Sequence, residues 1–146
     1  MNTELYNYKA GLIRVIDGDT IDIEIDLGFE IKMRKRVRLF GVDTPELRSS
    51  NPTERKAAQL VKNVVTDLLD WRSLYVKTVK DKDKYGRYLA DIYLSEDDLF
   101  GDDFIKDKNG VSLSEWLVCH GWAKEYNKKR EVWSDDELEN ILKLGV

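Results

Sequence analysis

Ile21-Asp22-Ile23-Glu24-Ile25-Asp26-Leu27-Gly28-Phe29-Glu30-Ile31-Lys32-Met33-Arg34 alternates apolar and charged side chains on both sides of one glycine. A period of two marks a strand with one buried and one wet face, and Gly28 marks a turn between two of them. Residues 21–34 therefore read as a β-hairpin that lays Ile21, Ile23, Ile25, Leu27, Phe29, Ile31 and Met33 on a core. Folding the chain back about Gly28 sets residue 19 roughly opposite residue 37 or 38. Asp19 then lies beside Arg38 at one rim of the sheet, close to the strand end that leads to Asp43.

Outward from the hairpin, Lys9 to Ile16, Leu74 to Val79 and Tyr88 to Leu94 supply three more strand candidates. Between the third and fourth strands, Ala57, Ala58, Leu60, Val61, Val64, Val65, Leu68 and Leu69 recur at helical spacing, with Pro52 near the start and Thr53 as its expected cap. Ser112-Leu113-Ser114-Glu115 is a capping box that opens a second helix, and Gly121 closes it. A third begins at Ser134, with Glu137 three residues on and Leu138, Ile141 and Leu142 as its stripe. The acidic stretch from Ser95 to Gly110 reads as a surface loop insertion. Five such strands suit a small closed or nearly closed barrel.

The length of 146 residues suits one domain, and 42% hydrophobic with 36% charged residues is a globular composition. No apolar run is long enough for a membrane span. Residues 1–7 lack the basic and apolar regions of a signal peptide, so a cytoplasmic protein, or one encoded by a phage or mobile element, is the expectation. Cys119 is the single cysteine and reads as a small core residue on a helix; His120, the single histidine, reads as structural at a helix C-terminus. Trp71, Trp116, Trp122 and Trp133 read as core. The formal net charge of −4 argues against a general nucleic-acid coat, so phosphate binding has to come from local charge or a metal.

Three motifs carry chemistry. They are Ile16-Asp17-Gly18-Asp19-Thr20, Val37-Arg38-Leu39-Phe40-Gly41-Val42-Asp43-Thr44-Pro45-Glu46, and Asp83-Lys84-Tyr85-Gly86-Arg87. Carboxylate and carbonyl oxygens suit Ca²⁺ or Mg²⁺, and no Cys/His cluster exists for zinc. A guanidinium spreads two donors over a phosphate, which an ammonium does less well. Read singly, each motif has a plainer meaning: Asp17-Gly18-Asp19 a turn, Arg38 one charge of a solvated basic strand, Arg87 a turn residue. An EF-hand is excluded, because Asp17-Gly18 puts glycine second rather than sixth and the Asp81 loop has Ile92 where a glutamate is required.

Taken together, in this order and spacing, the motifs resemble the staphylococcal nuclease family, as does the order of three strands, helix, two strands and two helices. The likeness runs from about Lys9 to Leu144. It implies an α+β fold, a five-stranded OB barrel with three α-helices, over one domain spanning residues 1–146. It implies that Asp19 and Asp43 are metal carboxylates, that Thr44 adds its backbone carbonyl, and that Ca²⁺ is the cofactor. Glu46 falls at the position of the carboxylate that activates water, with Asp17 supporting the turn. Arg38 and Arg87 fall at the two phosphate-clamping positions. Lys84 and Tyr85 fall where the nucleotide's other phosphate is contacted. Tyr126 lies near a tyrosine that packs on a base, with simple packing as its alternative role.

The resemblance implies a nuclease acting on DNA and RNA by cleaving on the 5′-oxygen side to leave 3′-phosphate ends, expected to be monomeric. The alternative is a non-catalytic OB-type nucleic-acid or protein-binding module. The segment after Glu46 is shorter and poorer in lysine than in the family's best-known member, and the acidic insertion replaces a short turn. A protein partner or inhibitor that uses the insertion is left open.

Overall fold

The computed structural model describes residues 6–70, 72–79, 82, 86–94, 106–107, 110–126 and 132–145. Five long strands form the barrel: β1 (Asn7–Asp17), β2 (Thr20–Gly28), β3 (Ile31–Leu39), β5 (Leu74–Thr78) and β6 (Tyr88–Leu94). They pair antiparallel in the order β3-β2-β1-β5-β6, and β6 closes the ring by pairing parallel with β3 through Val37–Tyr88, Arg38–Leu89 and Leu39–Ala90. The α+β barrel with three helices is thus the fold that the motif order implied. Short strands β4 (Val42–Asp43) and β9 (Lys124–Glu125) form a separate antiparallel pair.

Alternation builds the barrel core. Ile21, Ile23 and Ile25 from β2 meet Val37, Val76, Ala90, Ile92 and Leu94 in one buried cluster. Helix α1 (Pro52–Leu69) covers it with Ala57, Val61, Val65 and Leu69, while Leu113 and Leu117 of α2 (Leu113–Cys119) and Leu138 and Ile141 of α3 (Asp135–Leu144) complete it. Three caps set the helix starts. Ser112 and Ser134 cap α2 and α3; Ser134 with Glu137 forms a full capping box, while the box expected at Ser112 is half made, the Glu115 N–H donating to Ser112 Oγ at 3.4 Å. Helix α1 differs: its cap is Asn51, whose Oδ1 accepts from the Thr53 N–H at 3.0 Å. Pro52 explains this, because a residue with no N–H and a preset φ belongs at the first helical position, one residue after the cap.

Three further expectations change. The hairpin's two-faced character stops at the barrel edge: Leu27, Phe29, Ile31 and Met33 are exposed, Phe29 by 97%. Pairing with β1 ends at Asp26, so the hairpin end projects past the strand that would bury it. Cys119 is exposed rather than core, since α2 buries Leu113, Ser114 and Leu117 and Cys119 lies about 200° round the helix from Leu117. Within the acidic segment, β7 (Lys106–Asp107) and β8 (Gly110–Ser112) are strands, not loop, because β8 adds to β6 through Tyr93–Ser112 and Leu94–Val111. Residues 95–105 of that segment, and Trp71, lie outside the described residues. The other tryptophans pack as expected, Trp133 in the core and Trp116 and Trp122 against it.

The hairpin turn itself is unusual. Gly28 pairs with Ile31, and the two residues between them, Phe29 and Glu30, both hold positive φ (53° and 62°). Two-residue turns of this kind match strand twist but favour Asn-Gly, because side chains beyond Cβ crowd the left-handed region at roughly 1–2 kcal/mol per residue. Replacing Phe29 by Asn and Glu30 by Gly together is expected to raise stability by about 1–2 kcal/mol. Urea unfolding checks it, and an unchanged or lowered midpoint contradicts the turn assignment.

Candidate active site

Strand β3 runs from the hairpin tip to the rim at which three segments of chain meet. The Leu39 N–H donates to the Asp19 carbonyl at 2.8 Å, and the Phe40 N–H donates to the Ala90 carbonyl at 3.0 Å. Thr20 pairs with Arg38, so Asp19 and Arg38 sit side by side, one step from the register read off the turn. The chain then bends through Gly41, whose φ of +81° favours glycine, into β4. There Asp43 pairs with Lys124, and the Tyr126 N–H donates to the Gly41 carbonyl at 3.0 Å.

The bend brings one guanidinium between two carboxylates. Arg38 Nη2 lies 3.4 Å from Asp19 Oδ2 and 3.7 Å from Asp43 Oδ1. All three residues are buried, Arg38 with 6% of its surface exposed, Asp19 with 7% and Asp43 with 3%. Arg38 also donates to the Leu39 carbonyl at 3.2 Å, and its guanidinium carbon lies 4.9 Å from the centre of the Tyr126 ring. Tyr126 thus reaches the site through Arg38, which lies over its ring. The Thr44 N–H donates to Asp19 Oδ2 at 3.4 Å, so the residues expected to share a cation already share a bond.

Close packing pins the acidic turn. A Cβ on Gly18 would lie 2.6 Å from Val61 Cγ1 and 2.8 Å from Thr44 Oγ1, so only glycine lets the turn sit against α1 and Thr44. Asp17 Oδ1 accepts from the Gly18 N–H at 2.8 Å. Burial, then the charge of Asp19, and more weakly that of Glu46, push the Asp17 carboxyl up to about 7, against the pull of the Gly18 N–H. The Glu46 backbone is held to α1, its N–H donating to Glu54 Oε2 at 3.1 Å.

This grouping bears on metal binding. Among the described residues no three His, Cys, Asp or Glu side chains gather as a metal cluster. The expected set is smaller: two carboxylates and the Thr44 carbonyl. Two observations fit a hard cation there. The Thr44 hydroxyl is buried with no hydrogen-bond partner among the described residues, and burial together with the neighbouring charge of Asp19 holds the Asp17 carboxyl far above its usual range. All donors are oxygen, the preference of Ca²⁺.

Arg87 is exposed and stands immediately before β6. The parallel register sets Leu89 opposite Arg38, so the two arginines come from adjacent strands, two residues apart along the pairing. Lys84 and Tyr85 lie outside the described residues. His120 is structural as expected: its Nδ1 lies 3.0 Å from the Trp116 carbonyl and its ring stacks on Trp116 at 4.1 Å. Glu54 was missed in the sequence, although an acid in the first turn of a helix eight residues after Glu46 was the available signal. The Arg38–Tyr126 contact had no signal, since 88 residues separate its partners.

The chain is similar to known proteins of one family. The family described as staphylococcal nuclease homologue matches residues 36–144. An uncharacterized protein of Methanocaldococcus jannaschii is 30% identical over 92% of this chain, which spans 66% of that protein's length. The thermonuclease of Staphylococcus hyicus is 34% identical over 92% of this chain and 79% of its own. The thermonuclease of Staphylococcus intermedius is 38% identical over 58% of this chain and 48% of its own.

Removing Arg38 leaves two buried carboxylates facing each other. Arg38→Met is therefore expected to cost about 3–5 kcal/mol of folding stability, whereas Arg87→Met, at an exposed position, stays within about 0.5 kcal/mol. Denaturant melts of both variants check it. Equal, small losses mean that Arg38 is not the buried partner of Asp19 and Asp43.

Proposed function

The chain belongs to the staphylococcal nuclease family, and on that premise we propose that it is a Ca²⁺-dependent nuclease that hydrolyses phosphodiester bonds of DNA and RNA and leaves 3′-phosphate ends. The observation that carries the proposal is the buried Arg38 guanidinium shared by Asp19 and Asp43, with Glu46 at the same acidic turn. Asp19, Asp43 and the Thr44 carbonyl would hold the cation. Bound there, Ca²⁺ supplies Lewis-acid polarisation of the phosphate and neutralises its charge.

The protein's own groups do the rest. Glu46 accepts a proton from a water that attacks phosphorus in line with the 5′-oxygen. The new P–O bond forms from that water, the P–O5′ bond breaks, and the 5′-oxygen leaves as an alcohol on taking a proton from solvent. Arg38 and Arg87 direct paired N–H donors at the equatorial oxygens, where charge accumulates. Tyr126 backs Arg38 and limits its freedom. Lys84 and Tyr85 are assigned to the neighbouring phosphate by family position alone. A non-catalytic binding module has no use for Glu46, whose N–H is tied to Glu54 of α1 and whose charge reaches Asp17.

Digestion of single-stranded DNA and RNA is expected in Ca²⁺ and to cease in excess chelator. Arg87→Lys and Glu46→Gln are each expected to lower kcat on the order of 10²–10³. Full activity in chelator sinks the metal assignment. Turnover of Arg87→Lys within a few-fold of the parent sinks the bidentate clamp.

A further inference from the structure

At the end of the barrel where β6 begins beside β3, an open cavity of about 420 Å³ is walled by Tyr8, Leu27, Met33, Val79, Tyr88 and Lys35. No carboxylate is among its described lining residues. Tyr88 is 46% exposed, and two ammonium groups lie over its ring, Lys35 Nζ at 5.3 Å and Lys82 Nζ at 4.5 Å. Neither lysine has a carboxylate partner among the described residues. This sets them apart from the basic side chains on the hairpin's outer face, where Arg14 and Arg36 pair with Asp22, and Lys32 and Arg34 with Glu24. In a chain of net charge −4, two cations meet here over an exposed aromatic ring.

Position adds to this. Tyr88 follows Arg87 directly, and its register partner Val37 precedes Arg38. The ring is thus one residue along the backbone from each arginine assigned to the scissile phosphate and, because successive strand residues face opposite sides, on the cavity side of the strands, where a strand of nucleic acid passing over the rim would arrive next. An exposed aromatic flanked by cations is the pairing that single-stranded nucleic acid uses, one base on the ring and phosphates on the cations. A protein segment would have to bring its own acidic groups to meet the two ammonium groups, whereas a single strand carries a phosphate with every base.

We propose that Tyr88, with Lys35 and Lys82, is a base-stacking subsite that holds a nucleotide flanking the scissile phosphate of a single strand. It rests on the nuclease reading and extends that site beyond Arg87. A base settling on Tyr88 displaces the ammonium groups from the ring towards the phosphates on either side. The subsite positions substrate and takes no part in bond breaking.

The test is equilibrium binding of a labelled single-stranded oligonucleotide in excess chelator at low salt, read by anisotropy. Tyr88→Ala is expected to weaken binding on the order of tenfold and Tyr88→Phe to restore it to within about twofold. Lys35→Met with Lys82→Met is expected to reduce the salt slope by about 1.4, two phosphates at roughly 0.7 each. Scanning an abasic position along the oligonucleotide is expected to find one place where Tyr88→Ala no longer matters. Tight binding by the parent with equal affinity in Tyr88→Ala overturns the subsite while leaving the nuclease reading intact. No oligonucleotide binding and no Ca²⁺-dependent cleavage by the parent overturns both. Self-association lost in Tyr88→Ala, with oligonucleotide affinity unchanged, overturns the subsite and gives the cavity to a second copy of the chain.

Discussion

A buried guanidinium between two buried carboxylates constrains everything around it. Arg38 lies within 3.7 Å of Asp19 and Asp43, and burial strengthens such interactions while making an unpaired charge costly. The pairing also fixes geometry. Asp19 comes from the β1–β2 turn, Arg38 from the end of β3, Asp43 from β4, and Tyr126 from the end of β9. The closing pair of β3 and β6 is parallel, and its register sets the chain that follows Arg87 against the end of β3 that carries Arg38. The barrel therefore serves the site by delivering separate chain segments to one rim.

Ion pairs elsewhere on the same strands act differently. Arg36, Arg14 and Asp22 hold one another on the outer wall, and Arg36 with Arg14 keeps the Asp22 carboxyl below its usual range. The two arginines are more than half exposed, so salt screens these pairs and their contribution to stability is small. One strand thus carries two kinds of arginine. Arg34 and Arg36 are surface charges matched by nearby acids, and Arg38 is enclosed by the residues that give the site its chemistry. The change occurs where β3 passes from the exposed wall to the rim covered by α1, β4 and β9.

Much of this was legible in the chain. The two-residue period of β2 and β3 locates the hairpin, and folding it about Gly28 is enough to place Asp19 beside Arg38. The caps Ser112 and Ser134 were readable because a side chain three residues from its partner is a local matter. The exposure of Phe29, Ile31 and Met33 was not readable, since alternation tells which residues share a face and says nothing of how far the neighbouring strand extends. The same limit hid Cys119, whose exposure depends on which face of a seven-residue helix meets the barrel. The contacts of Tyr126 with Arg38, and of Tyr88 with Lys35, needed the strands of both halves of the chain to be assembled. Lys84 and Tyr85 rest on motif position alone.

The claim that Asp19 and Asp43 form the cation-binding pair is tested most directly by calorimetric titration of Ca²⁺ into the parent and into the Asp19→Asn, Asp43→Asn double variant. Asparagine keeps the side-chain shape and removes both charges. The expected result is one saturable site in the parent, with a Ca²⁺-dependent rise in Tm, and neither signal in the folded double variant. The same isotherm in both proteins would place the cation elsewhere and contradict the assignment of this rim as the active site.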